Sequence, residues 1–129
     1  MNNPISNSIS AHLEFLGFKV EDNTEKDNLD VLLCKHDSKS NIRILIFNED
    51  TIIFQSTYSW LEWKHSDLFE KINTIHSKVN WTRWYLTDLD EKTPSVVIET
   101  IFKGYSKQSF GEIIETFEKE IQWGLQEIV

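Results

Sequence analysis

Three strand-like runs joined by very short connectors constrain the fold of this 129-residue chain more than any other feature. The runs span residues 29–35, 42–47 and 51–58, and they are rich in the β-branched and aromatic side chains that strands prefer. Their connectors, residues 37–41 and 48–50, are polar and of hairpin length. A parallel pairing would need a much longer crossover, so we predict an antiparallel meander.

The predicted strands are apolar on both faces of the sheet. In the second run, Ile44 points to one side while Leu45 and Phe47 point to the other. In the third run, Ile53 opposes Phe54 in the same way. A sheet that is apolar on both faces has to be covered on both, and three predicted helices are few for that task. The pattern is therefore a first indication of a partner or a dimer.

Three amphipathic helices accompany the strands. The first is predicted to begin after Asn3, with Pro4 in the first turn, and to end at Gly17. The second carries apolar residues at spacings of three and four over residues 68–79, and the third begins near Ser106. Each helix thus presents one apolar stripe to a core.

Two further strands are predicted at residues 81–87 and 95–102, whereas the polar segment 21–28 is interpreted as a loop or a weak edge. The predicted order is α-β-β-β-α-β-β-α, with the helices packed on a five-stranded, mainly antiparallel sheet. No linker or repeat interrupts the chain. The predicted fold class is α+β, as a single domain over residues 1–129.

The charge balance narrows the possible partners. The chain carries 13 basic and 21 acidic residues, a net charge of −8. Such a surface repels phosphate backbones and anionic lipids, so we expect no nucleic-acid or membrane partner, and basic or apolar partners suit it better. Cys34 is the only cysteine, which excludes an intrachain disulfide and favours a reducing compartment. No signal peptide is visible, so a cytoplasmic location is expected.

None of the residue patterns has the spacing of an active site or a metal site. The histidines show no metal-ligand spacing, and Cys34 lies in an apolar strand that favours an inert thiol. Asp88, Asp90 and Glu91 resemble part of a calcium loop but lack its glycine, so a solvated turn is expected. We therefore predict no catalytic residue, no cofactor and no metal.

Several features of the chain resemble a known family. They are the Leu16-Gly17-Phe18 end of the first helix, the segment over residues 72–85, and the strand that leads into the third helix. With these features the chain resembles the bacterial sensory-transduction-regulator (YbjN-like) family, within the type III secretion chaperone-like fold. The resemblance implies a non-enzymatic role. Secretion chaperones of this fold are dimeric, acidic proteins that hold an extended stretch of a secreted partner.

Aromatic residues from the third strand, its exit and the fourth strand are the candidates for a binding surface. Tyr and Trp are frequent in interface hot spots because they bury a large area at low entropic cost. We expect Trp60, Trp63 and one of Trp81 or Trp84 to line a dimer or peptide surface. The full candidate set is Phe54, Tyr58, Trp60, Trp63, Trp81, Trp84 and Tyr85.

The function expected from the sequence is that of a non-catalytic protein-binding domain, chaperone-like or regulatory, which acts as a homodimer on a peptide or protein. One alternative is an immunity or antitoxin-type protein that neutralises a basic partner through its acidic surface. Another is an enzyme with an unrecognised site, which would need a polar cleft that gathers histidines and carboxylates.

Overall fold

The computed structural model describes residues 2–59, 65–88 and 94–128. Within these ranges the chain forms three helices and six strands. In chain order they are α1 (Pro4–Phe15), β1 (Lys19–Asp22), β2 (Leu29–Lys35), β3 (Ile42–Phe47), β4 (Thr51–Ser59), α2 (His65–His76), β5 (Arg83–Thr87), β6 (Ser95–Lys103) and α3 (Lys107–Ile128). The predicted α+β class is confirmed.

Helix α1 begins and ends where its capping residues predict. The Asn3 side chain accepts a hydrogen bond from the Ile5 backbone N–H at 3.0 Å, which satisfies one of the free donors of the first turn. At the other end Gly17 adopts a φ of 94°, and the Phe18 N–H donates to the Leu13 carbonyl at 3.0 Å. Glycine reaches this left-handed conformation without steric cost, so it ends the helix here.

The sheet has six strands in the order β1-β2-β3-β4-β6-β5, and every pairing between them is antiparallel. The prediction of five strands is therefore wrong by one. The additional strand is β1, which pairs with β2 along the edge of the sheet. Its four residues are Lys, Val, Glu and Asp, so it has no apolar alternation to reveal it. Charged residues are common on edge strands because they discourage pairing with other chains.

The three helices pack on one face of this sheet. Each contributes its apolar stripe to a single core, with Leu13 from α1, Ile72 from α2 and Phe117 from α3 as examples. The strand residues in this core all belong to the alternating set that includes Ile44 and Phe54. The domain is thus a two-layer structure, and the helices leave the other face of the sheet uncovered.

The segment between α2 and β5 is longer than predicted. The second helix ends at His76 rather than near residue 79, and β5 begins at Arg83 rather than at residue 81. Glu120 accepts hydrogen bonds from the backbone N–H groups of residues 80–82, at 2.9–3.3 Å. These bonds hold residues 80–82 against α3, so β5 does not begin before Arg83.

Gly124 lies at the closest contact between α3 and the sheet. The Trp84 indole packs directly on it, and a Cβ atom at position 124 would overlap the six-membered part of that ring. Glycine in a helix interior costs about 1 kcal/mol relative to alanine. The close packing of Trp84, which is 1% exposed, explains why this cost is tolerated.

We expect Gly124→Ala to destabilise the fold although alanine is the better helix former. Overpacking in a core costs about 1–3 kcal/mol, which exceeds the gain in helix propensity. Gly111→Ala is the matched control, because no atom lies within 4 Å of a Cβ there. Urea denaturation should show a loss of about 1–2 kcal/mol for the first change and a small gain for the second. Equal gains would contradict the packing described above.

Candidate protein-binding surface

The face of the sheet opposite the helices is named here the open sheet face. The antiparallel registers place the following residues on it: Lys19 and Glu21 in β1; Leu29, Val31, Leu33 and Lys35 in β2; Arg43, Leu45 and Phe47 in β3; Thr51, Ile53, Gln55, Thr57 and Ser59 in β4; Arg83, Tyr85 and Thr87 in β5; Ser95, Val97, Glu99, Ile101 and Lys103 in β6. It contains no member of the core that the helices cover.

One row of aliphatic side chains crosses four strands of the open sheet face. Val31 pairs with Leu45, Leu45 with Ile53, and Ile53 with Ile101. Side chains that lie directly opposite each other on one face are in contact distance, so the four residues form a continuous apolar row. Val31 is buried among its neighbours, whereas Ile101 is 54% exposed. The expectation that the helices cannot cover both apolar faces agrees with this arrangement.

A polar row runs beside the apolar one. Arg43 donates to the Gln55 side chain at 3.4 Å, and Gln55 in turn donates to Glu99 at 3.0 Å. Arg83 forms a salt bridge with the same carboxylate, and the Tyr85 hydroxyl donates to it at 3.1 Å. Four strands therefore contribute to one hydrogen-bonded network with Glu99 at its centre.

The protein environment keeps Glu99 ionised. Burial alone would raise its pKa, since the residue is only 4% exposed. Hydrogen bonds from Gln55, Arg83 and Tyr85 and the charge of Arg83 outweigh burial, so the pKa lies below its usual value. The same carboxylate acts on its neighbour: burial and the negative charge of Glu99 raise the pKa of the Tyr85 hydroxyl. The network is consequently a fixed charged feature of the surface.

Formal charges are segregated between the two layers of the domain. On the open sheet face, five basic residues (Lys19, Lys35, Arg43, Arg83 and Lys103) accompany two acidic ones (Glu21 and Glu99), which leaves a net charge of +3. The helices carry the opposite excess. Three basic residues (Lys71, Lys107 and Lys119) accompany eight acidic ones (Glu14, Asp67, Glu70, Glu112, Glu115, Glu118, Glu120 and Glu127), a net charge of −5.

The structure does not bring the described members of the predicted aromatic set together on one surface. Phe54 is completely buried and Trp84 is 1% exposed, so both belong to the core beneath the helices. Tyr58 packs against that core and donates to the Ser40 hydroxyl at 2.5 Å. Trp60 and Trp63 lie outside the described residues.

Two members of the set are at the surface, on opposite sides of the sheet. Trp81 is 69% exposed and forms one wall of a pocket of about 290 Å³ in the helix layer, with Ile113 and Phe117 of α3 among the other walls. Tyr85 belongs to the open sheet face, within the Glu99 network. Of the predicted set, Tyr85 alone among the described residues lies on the open sheet face.

Both edges of the sheet are modified in ways that oppose strand addition. At one edge, the outward N–H of Trp84 in β5 donates to Nε2 of His76 in α2, at 2.8 Å. At the other edge stands the short, charged strand β1. Strand addition needs free backbone groups along an edge, so the open sheet face is the better surface for a partner.

Cys34 lies in β2 on the helix side of the sheet and is 1% exposed. Burial raises the pKa of its thiol to about 12, so the reactive thiolate is scarce at neutral pH. Among the described residues, no three His, Cys, Asp or Glu side chains are grouped so that they could hold a metal ion. The described helices include none with the length and apolar character needed to cross a membrane.

We expect Cys34 to resist a thiol reagent such as DTNB in the native protein and to react at once in denaturant. Both burial and the raised pKa oppose attack by the thiolate. Ser38→Cys is a suitable control, because position 38 is exposed. The control should react with one additional equivalent under native conditions. Rapid native labelling of wild-type Cys34 would contradict its placement in the core.

The polar row is the part of the surface that the sequence interpretation missed. Its four main residues come from four different strands, and Gln55 and Glu99 are 44 positions apart in the chain. Alternation within each strand assigns each residue to a face, but only the register places them side by side. The apolar row was partly visible, since Leu45 and Ile53 stand on the second apolar face in the sequence.

Comparison with known proteins supports the fold. YbjN from E. coli, a candidate transcription regulator, superposes with a TM-score of 0.71 at 16% sequence identity, over 95% of this chain and 89% of YbjN. An uncharacterized protein from Methanothermobacter thermautotrophicus gives a TM-score of 0.72 at 14% identity, over 95% of both chains. The predicted YbjN-like resemblance is thereby confirmed as a likeness of fold. No family model and no curated protein matches the sequence.

Proposed function

We propose that this protein is a non-catalytic binding domain that holds another protein on its open sheet face. The observation that carries the proposal is the apolar row from Val31 to Ile101, which crosses four strands and is covered by none of the described helices. Antiparallel sheets commonly leave one face to solvent, but that face is then mostly polar. An uncovered apolar row flanked by polar residues is typical of a protein-interaction site.

The size of the face fits this role. Six strands at a spacing of about 4.8 Å extend over roughly 24 Å, and the rows from Phe47 to Thr87 extend over a similar length. The resulting area is on the order of 600 Å², close to the ~800 Å² that each partner contributes to a standard interface. Burial of a fully exposed Leu or Ile stabilises a complex by about 1.5–3 kcal/mol. Ile101, at 54% exposed, offers the largest share of this gain within the row, since Val31 is already buried among its neighbours.

The regulatory description of YbjN applies to that protein, and at 16% identity the likeness extends to the fold alone. A regulatory role for this chain is part of the proposal. It agrees with a domain that works by holding a partner, since such a role needs a surface rather than a cleft.

The proposal is tested by a surface variant with a matched control. Ile101→Asp places a charge in the apolar row, and Phe15→Asp changes another exposed apolar residue, 86% exposed at the end of α1. Tagged wild-type and variant chains would be recovered from the native host, and bound proteins identified by mass spectrometry. We expect a specific partner that the Phe15 variant retains and the Ile101 variant loses, with unchanged circular dichroism. The same partner on all three chains would reject the open sheet face.

The acidic helix layer supports one second candidate, an immunity or antitoxin-type protein that binds a basic partner. Its net charge of −5 over the three helices is the observation that favours it. Such a complex would weaken steeply with salt and would survive Ile101→Asp.

A homodimer through the open sheet face would instead appear as a doubled mass in light scattering that Ile101→Asp abolishes.

A further inference from the structure

The open sheet face combines an apolar row with an excess of positive charge, although the chain as a whole carries −8. Two exposed basic residues flank the row on opposite sides. Arg43 lies two positions from Leu45 along β3, and Lys103 lies two positions from Ile101 along β6. Arg83 stands in the same row as Arg43, across the Gln55–Glu99 pair. A matching partner is therefore apolar along one stripe and acidic beside it.

We propose that the occupant of the open sheet face is an acidic amphipathic helix of another protein. The inference rests on the proposed function and specifies the chemistry of its partner. The apolar stripe of the helix would cover the row from Val31 to Ile101, and its carboxylates would face Arg43 and Arg83 on one side and Lys103 on the other.

A helix fits this face better than an extended segment. The face presents side chains, so it offers few groups to pair with the backbone of a bound segment. A buried segment must then satisfy its own N–H and C=O groups, which a helix does internally. The row spans three strand spacings, about 14 Å, which corresponds to roughly ten residues of helix.

Charge argues against a second copy as the occupant. A two-fold dimer through this face would bring two patches of net +3 together, and like charges across an interface oppose association. Nucleic acid is disfavoured for a different reason. Sheet surfaces that bind single strands stack bases on aromatic rings, whereas the centre of this face is aliphatic.

The experiment uses two designed peptides of about 16 residues, long enough for measurable helicity. Both carry a leucine stripe at helical spacing; one has glutamates beside the stripe and the other has lysines at the same positions. Binding to the full chain is followed by fluorescence anisotropy. The variants are Ile101→Asp, the charge reversal Arg43→Glu with Lys103→Glu, and a control reversal in the helix layer, Lys107→Glu with Lys119→Glu. A labelled single-stranded oligonucleotide and light scattering test the other occupants.

We expect the glutamate peptide to bind at least about tenfold more tightly than the lysine peptide, with an affinity that falls as salt rises. Ile101→Asp should abolish binding. The Arg43 and Lys103 reversal should invert the preference, and the helix-layer reversal should leave it unchanged.

Three results would overturn the inference: equal affinity for the two peptides, no binding of the glutamate peptide, or a preference for the oligonucleotide or for a second copy. The partner recovered from the native host distinguishes each of these results from failure of the proposed function. If the partner from the native host is still lost in Ile101→Asp, the open sheet face remains the binding surface and only the acidic helix is rejected. If that partner is retained, the proposed function itself fails.

Discussion

Replacement of Trp84 by alanine is expected to lower the free energy of unfolding by about 3–5 kcal/mol. Among the described residues the indole is the largest fully buried side chain, and it fills the space between β5 and Gly124 of α3. Its Nε1–H also donates to the Thr82 hydroxyl at 2.9 Å, so truncation removes this hydrogen bond as well as leaving a cavity, while the Thr82 hydroxyl keeps its own bond to Glu120. Urea or thermal denaturation would measure the loss. Far-UV circular dichroism is a suitable signal, because it does not rely on the fluorescence of the tryptophan that is removed.

Trp81→Ala is the matched control for this change. The two residues are three positions apart, but the Trp81 side chain is 69% exposed. Exposed substitutions usually change stability by less than about 0.5 kcal/mol. Similar losses for both variants would contradict the assignment of Trp84 to the core and of Trp81 to the surface. The double variant Trp84→Phe with Gly124→Ala should lose less stability than Trp84→Ala, since the smaller phenyl ring leaves room for the added methyl group.

Replacement of Asp30 by alanine is the second change with a large expected effect, a loss of about 3 kcal/mol. Asp30 is 1% exposed, and its carboxylate accepts hydrogen bonds from the N–H groups of Asn2 and Asn3 at 2.8–3.0 Å and from the Ser6 hydroxyl at 2.5 Å. It therefore joins the start of α1 to β2. Its negative charge also interacts favourably with the N-terminal end of the helix dipole. Asp27→Ala, at an exposed position, should change stability little.

The stability that Asp30 contributes to the fold should decrease as the pH is lowered. Burial by itself raises the pKa of this carboxyl, but the hydrogen bonds from Ser6, Asn2 and Asn3 outweigh burial, so the folded-state pKa lies below the usual value. A lowered pKa stabilises the fold fully above the unfolded-state pKa of about 3.9, and this stability is lost as pH falls through the folded-state pKa. Asp30→Asn should therefore show a weaker loss of stability below about pH 4 than the wild type. Identical pH profiles would show that Asp30 is not held in this way.

Much of the fold could be predicted from local patterns. The strands that begin at residues 29, 42 and 51 begin there in the structure, because short polar connectors and β-branched runs mark them clearly. Strand β1 was missed because its pairing with β2, rather than its own composition, makes it a strand. The segment before β5 was misassigned because Glu120, 38 positions from Thr82, determines its path. Interactions this distant in sequence leave no local pattern.

The candidate surface was predictable only in outline. Alternation indicated a second apolar face, and Leu45 and Ile53 lie on it. The choice of aromatic residues as its centre did not anticipate that Phe54 and Trp84 face the helices. Side-chain type alone does not determine the side of a sheet; the register and the position of the helices do. The charge excess on the open sheet face was hidden for the same reason, since the whole chain is acidic.

The position of β6 between β4 and β5 has a consequence for how the open sheet face forms. Strands β1 to β4 pair with their neighbours through short turns, but Ser59 and Ser95, whose hydroxyls lie 2.7 Å apart, are separated by 36 positions. Closing this loop carries a larger entropic cost than any hairpin before it, so we expect insertion of β6 to be the slow, long-range step of folding. Because β6 supplies Glu99, Ile101 and Lys103, the open sheet face is complete only after that step. A partner of the proposed kind would therefore stabilise the fully folded chain selectively over any form in which the first four strands have assembled alone.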